Sequence, residues 1–168
     1  MAAVKLRKEY TVTDYLGLKR AGLGQYLRWI LLTFIFIGVM EVIQYSLKIS
    51  CSDWMQKIYN SANHFTLFVL VIVLLMPILE ELVFRGFLFK GFESRLDAFP
   101  TIALTAILWA MGHIQYESYF FIVSICIFGI ILGVARWKTK SVYVPIALHV
   151  LNNGLSMAMM HWYQNFPK

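Results

Sequence analysis

Long apolar runs broken by very few charges dominate this chain, and they leave it one class of fold. The first runs from about Trp29 to Leu47 and the second from Phe65 through Phe89. The third begins after Pro100 and reaches His113, the fourth covers Tyr119 to Trp137, and the fifth covers Val142 to Trp162. A helix crossing the hydrocarbon core needs about 20 residues at about 1.5 Å each. The third run is short by that measure unless it continues past His113. Apolar residues make up 60% of the 168 and charged residues 14%, where soluble domains carry about 25% charged residues. A soluble domain of this size keeps too much surface exposed to hide that many apolar side chains. The chain is therefore read as all-α, a polytopic integral membrane helical bundle of about five transmembrane helices, with the lipid bilayer as its solvent.

The net charge of +6 does not point to nucleic acid, because the basic residues lie in short clusters between the apolar runs. Such clusters orient membrane proteins. With five spans, one side receives Lys5, Arg7, Lys8, Lys19, Arg20 and Arg28, the 85–97 connection and the 136–140 turn. The other receives Lys48, Lys57 and Lys168. The balance is twelve Lys and Arg against three. Positive charge stays on the cytoplasmic side, so a cell-membrane protein with a cytoplasmic N-terminus and an outside C-terminus is expected. No cleavable signal peptide is visible, and no repeat or low-complexity segment. The two cysteines, Cys51 and Cys126, have no metal-type spacing and suggest no disulfide framework.

Charge inside a span is costly and marks function or a paired network. Glu80, Glu81 and Arg85 interrupt the second run. Glu81 and Arg85 stand at i, i+4 and share a helix face, so they can pair. Glu80 is rotated by about 100° from Glu81 and cannot use the same partner equally well. Glu81 is thus expected to stay ionised against Arg85, leaving Glu80 free to accept and return a proton. A paired structural helix end is the bland alternative. His113 closes the third run, with Trp109 four residues before it. If the chain turns near Asp97, Glu80 lies 17 residues before the turn and His113 lies 16 after it. An antiparallel pair would then hold them at nearly equal depth. His149 and Asn153 share a face of the fifth run at i, i+4. His149 lies about ten residues, roughly 15 Å, beyond the 138–140 turn. Interhelical polar contacts are the bland reading for these two and the preferred one for Asn152. Together, Glu80 and His113 could activate a water, while His149 and Asn153 donate to an oxyanion, the two functions peptide hydrolysis needs. Glu41, in the first run, reads as an interfacial or paired charge. His64 and His161 read as interfacial, and Cys126 as a small core residue.

The ordered set Glu80-Glu81-Leu82-Val83-Phe84-Arg85, Trp109-Ala110-Met111-Gly112-His113 and His149-Val150-Leu151-Asn152-Asn153 resembles the CAAX-protease and bacteriocin-processing (Abi) family of intramembrane endopeptidases. That family's motifs are Glu-Glu-x-x-x-Arg, Phe-x-x-x-His and His-x-x-x-Asn/Asp. The first and third match in full, and Trp109 replaces the usual Phe of the second. The resemblance covers about residues 65–160. It implies that Glu80, His113, His149 and Asn153 form the catalytic site, supported by Glu81, Arg85 and Trp109. It implies that Glu80 and His113 activate water while His149 and Asn153 hold the oxyanion. On this reading no cofactor is required. The competing metalloprotease reading would make Glu80, His113 and His149 ligands of zinc, which accepts such groups.

The chain is thus organised as a basic N-terminal segment over 1–28, with a short interfacial helix near Tyr15-Leu16-Gly17-Leu18. The first transmembrane helix and an outer loop occupy 29–64, a catalytic membrane core 65–162, and a C-terminal tail 163–168. The expected activity is cleavage of a peptide or protein substrate in or near the membrane. A sorting signal, pheromone or bacteriocin-like precursor ranks above a prenylated CAAX protein. The site is expected roughly 15 Å below the cytoplasmic surface, reached from the membrane plane or the cytoplasmic side. A non-enzymatic scaffold or bacteriocin immunity factor of the same fold is the alternative, and it would not need all four polar residues. A proton-linked transporter is a third class, but five spans without a repeat leave little room for alternating access.

Overall fold

The structure is a computed structural model that describes residues 10–50 and 52–166. Lys5, Arg7, Lys8, Cys51 and Lys168 lie outside the described residues, so their part in the charge reading stays with the sequence. Among the described residues the chain is helical throughout, without strands. A one-turn helix α1 (Val12–Leu16) precedes a long helix α2 (Leu23–Ser46), a short helix α3 (Asp53–Ser61) and a 29-residue helix α4 (Phe65–Glu93). Helix α5 (Ala98–Met111), a 3-10 turn (Ile114–Tyr116), helix α6 (Tyr119–Thr139) and helix α7 (Tyr143–Asn165) complete the fold.

All five apolar runs form helices of a membrane bundle. By length and composition, α2, α4 and α6 are each long and apolar enough to cross a membrane. The third run does not continue past His113. Helix α5 has 14 residues, about 21 Å at helical rise, and the chain breaks into the 3-10 turn. Helix α7 has 23 residues, but His149, Asn152 and Asn153 dilute its apolar character. Helix α2 begins six residues before the apolar run, because Gly22 caps it and the Gln25 side chain accepts the Gly22 N–H at 3.1 Å. The 48–64 loop contains α3, capped by the Ser52 hydroxyl, which accepts the Met55 N–H.

The core is small, as expected where lipid covers the outside. Trp109, Phe128, Leu132, Ala135, Val144 and Leu148 form one buried cluster between α5, α6 and α7. Leu31, Phe34, Ile35, Val39 and Val42 of α2 stay exposed and face the bilayer side. Helices α5 and α6 approach closely at two glycines one turn apart. A Cβ on Gly129 would lie 3.1 Å from the Ala106 Cβ, and one on Gly133 would lie 3.0 Å from Ile102 Cγ2. Small residues spaced by four let membrane helices meet at short range.

The two ends of the bundle differ. At the end holding the 94–97 and 140–142 connections, α1 is tied down. Gly17 takes φ +70 to end α1, and its carbonyl accepts the Val142 N–H at 2.9 Å. Buried Arg136 donates from Nε to the Arg85 carbonyl at 2.9 Å. The other end holds α3, the 3-10 turn and the last turns of α7, where the Tyr59 hydroxyl meets His161 Nδ1 at 2.6 Å.

Candidate active site

Helix α4 carries the two carboxylates on a backbone that is not uniformly α-helical. Leu70–Leu75 and Leu82–Leu88 are π-helical, with Met76–Glu81 as an α-helical stretch between them. Each π turn holds an extra residue at little extra rise and rotates the residues after it. Two consequences fix the site.

The first concerns Pro77. In the upstream π segment the Met76 N–H donates to the Val71 carbonyl, five residues back. The next bond of that register would run from residue 77 to the Ile72 carbonyl, and proline has no N–H to give. The orphaned Ile72 carbonyl instead accepts from Asn153 Nδ2 at 3.0 Å. Asn153 is thereby held by α4, with its second amide N–H uncommitted by any bond within the described residues.

The second concerns depth. The turn does fall at Asp97, which caps α5. The wide turn over Leu82–Leu88 brings Glu80 nearer that turn by on the order of one residue's rise, about 1.5 Å. Glu80 meets the indole of Trp109, one helical turn before His113. Trp109 Nε1 donates to Glu80 Oε2 at 2.6 Å, a short charge-assisted bond. His113 packs edge-on against the same indole, with ring centroids 5.0 Å apart, and its Nδ1 lies 2.8 Å from the Trp109 carbonyl. A carbonyl only accepts, so Nδ1 carries the proton and Nε2 of the neutral ring is a bare acceptor. Trp109 thus positions both Glu80 and His113.

Glu81 and Arg85 pair as their spacing indicates, with Nη1 to Oε1 at 2.9 Å and both side chains fully buried. Arg85 Nη2 donates to the Gly129 carbonyl at 3.0 Å, and the guanidinium lies 4.7 Å from the Trp109 ring centroid. The sequence did not reveal a third member. His149 Nδ1 lies 2.9 Å from the same Glu81 oxygen. An ionised carboxylate only accepts, so Nδ1–H donates to Glu81. His149 Nε2 can then donate to a ligand only when the ring takes a second proton. Glu81 is therefore both the partner of Arg85 and the residue that orients His149.

Glu80, Trp109, His113, His149 and Asn153 all line one cavity of about 660 Å³. Tyr116, from the 3-10 turn, lines it too. Burial, and secondarily the Glu80 charge, push the Tyr116 phenol up to about 12, so it remains a neutral hydroxyl. Two groups were missed that the sequence could have offered. One is Tyr116, three residues beyond His113. The other is the Gly129-Ile130-Ile131-Leu132-Gly133 spacing that brings the Gly129 carbonyl to Arg85.

Two expectations need correction. The cavity does not open toward the 85–97 and 136–140 connections, where Gly17, Phe89, Arg136 and Val142 are packed out of contact with solvent. Its lining runs the other way, past Met40 and Glu41 to Lys48, Ser50 and Tyr163. The α2 helix supplies much of this wall. Glu41, read as an interfacial or paired charge, lines the cavity and forms no ion pair within the described residues. For zinc, the fit is poor. Among the described residues no three His, Cys, Asp or Glu side chains group so as to hold a metal ion.

Comparison with known proteins bears on the role of this arrangement. The family model "Type II CAAX prenyl endopeptidase Rce1-like" matches residues 62–155, a stretch that contains Glu80, Glu81, Arg85, Trp109, His113, Tyr116, His149 and Asn153 but not Glu41. A protein of Escherichia coli described as "Uncharacterized 24.3 kDa protein" is 27% identical over 120 residues, covering 69% of this chain and 55% of that protein. The "Membrane-embedded CAAX protease MroQ" of Staphylococcus aureus (strain USA300) is 30% identical over 105 residues, covering 59% of this chain and 41% of that protein. The chain thus spans about half the length of the curated relatives it matches. No solved structure matches it.

Proposed function

This chain belongs to the Type II CAAX prenyl endopeptidase Rce1-like family of multi-pass membrane proteins, and from that premise we propose that it is an intramembrane endopeptidase. One observation carries the reading: adjacent carboxylates with separate partners, one sealed in a buried ion pair and the other facing a cavity that also holds two histidines and an asparagine. Glu80 is the general base. Trp109 holds its Oε2, and the other oxygen takes the proton from a water that His113 Nε2 also accepts from. As the water oxygen bonds to the scissile carbonyl carbon, negative charge builds on the carbonyl oxygen. The uncommitted Asn153 N–H donates to that oxygen, and so does His149 Nε2 when its ring carries a second proton. Glu80 then returns the proton to the leaving amine as the peptide bond breaks. The chemistry needs no metal. Glu81 acts indirectly, by holding Nδ1–H of His149 and so fixing the orientation of its ring.

The substrate class is a membrane-associated peptide or protein precursor, with sorting signals, pheromones and bacteriocin-like peptides ahead of prenylated proteins. The charge balance of the connections supports a cytoplasmic N-terminus and an outside C-terminus. With that orientation the cavity opens toward the outer side or the membrane plane. Reconstitution with candidate precursor peptides and sequencing of the products tests the proposal. Glu80→Gln keeps the shape and loses the base, and His113→Ala loses its partner. Both variants should be folded, inserted and inactive, and full activity of purified Glu80→Gln would remove the general-base assignment.

A further inference from the structure

The cavity contains a carboxylate that the proposed reaction does not use. Glu41 sits near the outer end of α2, five residues before Ser46, within Val39-Met40-Glu41-Val42-Ile43, on a helix that lies before the family-matched residues. A charge on a membrane helix is expensive and normally paired, yet no cation of the described residues lies within ion-pair distance of it. Lys48, two turns on, lines the cavity nearer its outer end without reaching it. The cavity that Glu41 lines is also lined by Met40, Met157 and Met160 and by Tyr45, Phe120 and Phe121. A cavity that holds an unpaired carboxylate together with aromatic rings has the chemistry to receive an ammonium or guanidinium group. Unbranched methionines adapt to varied apolar chains.

The register of this group against the reacting centre can be traced. Phe36 of α2 stacks on Phe128 with centroids 5.4 Å apart, and Phe128 lies 6.2 Å from His149. Glu41 is five residues beyond Phe36, about 7.5 Å further along the helix axis toward the open end. An extended peptide running parallel to the helix covers that axial distance in two or three residues at about 3.3 Å each.

We propose that Glu41 is the specificity residue of the cavity, taking a Lys or Arg side chain placed two or three residues from the scissile bond of an otherwise apolar substrate segment. This deepens the peptidase reading and rests on it for the position of the scissile bond, but not for the binding of the cation. Selectivity arises because an apolar residue at that place would leave the carboxylate desolvated and unpaired, whereas a cation neutralises it.

The test separates binding from cleavage. Glu80→Gln protein in detergent micelles is titrated with two fluorescent Leu/Ala peptides that differ at one position, lysine or norleucine, and anisotropy is read. The lysine peptide should bind about tenfold more tightly, the equivalent of about 1.4 kcal/mol. Adding Glu41→Gln should erase the difference, and adding Glu41→Lys should favour a peptide with glutamate at that position. Equal binding of the two peptides, a preference that survives Glu41→Gln, or no binding of the lysine peptide would overturn the proposal. In parallel, the wild-type chain is incubated with the lysine peptide and the products are sequenced. A cut two or three residues from the lysine is expected. Lysine preference without cleavage would sink the peptidase reading and leave the cation site. Cleavage without lysine preference would do the reverse.

Discussion

Removing Glu81 should damage this protein far more than removing its neighbour Glu80. Glu81 and Arg85 are fully buried at 2.9 Å, and the same Glu81 oxygen holds His149. Glu81→Ala leaves a guanidinium buried with only the Gly129 carbonyl and the Trp109 ring as partners. Breaking one side of a buried pair costs about 3–5 kcal/mol. Glu80→Ala loses the bond from Trp109, but the freed indole N–H borders the cavity, where water can replace the carboxylate. A loss of about 1 kcal/mol is expected. For a chain of this size about 1 kcal/mol corresponds to a melting shift of roughly 2–4 °C. The two alanine variants should therefore differ by on the order of 10 °C in detergent, with Glu81→Ala the lower. Replacing Arg85 as well, in Glu81→Ala/Arg85→Leu, should recover part of the loss, because no charge is then left buried. Equal melting of Glu80→Ala and Glu81→Ala would refute the claim that the pair is structural. A double variant less stable than Glu81→Ala would refute the orphan-charge explanation.

Pro77→Ala restores a backbone N–H that can reach the Ile72 carbonyl, so Asn153→Ala should cost about 1 kcal/mol less in that background than in the wild type. Additive melting shifts would show that Asn153 is not filling the bond proline omits. Gly129→Ala puts a methyl 3.1 Å from both the Ala106 Cβ and Trp109 Cε3, and should destabilise by about 1–3 kcal/mol. It should also lower cleavage by shifting the indole, and unchanged turnover would show that the close approach does not hold Trp109 in place. In a background lacking Cys51 and Cys126, Lys57→Cys should react with an impermeant thiol reagent in intact cells while Lys138→Cys stays unlabelled. The opposite pattern would invert the orientation and move the cavity mouth to the cytoplasmic side.

The sequence alone determined whatever depends on neighbours along one helix or on solvent. Apolar runs without compensating charge require a bilayer, and the runs mark the helices because backbone groups in lipid must bond within their own segment. Glu81 and Arg85 pair because i, i+4 residues share a face whatever surrounds them. The turn at Asp97 was legible from the break between runs. Tertiary structure decided everything that depends on rotation and depth between helices. The π turns of α4 shift both quantities by adding residues, and nothing in the apolar run over Leu70–Leu75 or in the Arg85-containing stretch over Leu82–Leu88 marks the added residue. In the folded bundle Glu80 meets Trp109 one turn before His113, and Asn153 finds the carbonyl that Pro77 leaves open. Glu81 was expected to serve Arg85 alone, yet it also holds His149 from another helix. The direction of the cavity was likewise out of reach of the sequence. It depends on which end the α1 loop seals, and a hydrogen bond from Val142 to Gly17 leaves no trace in hydropathy.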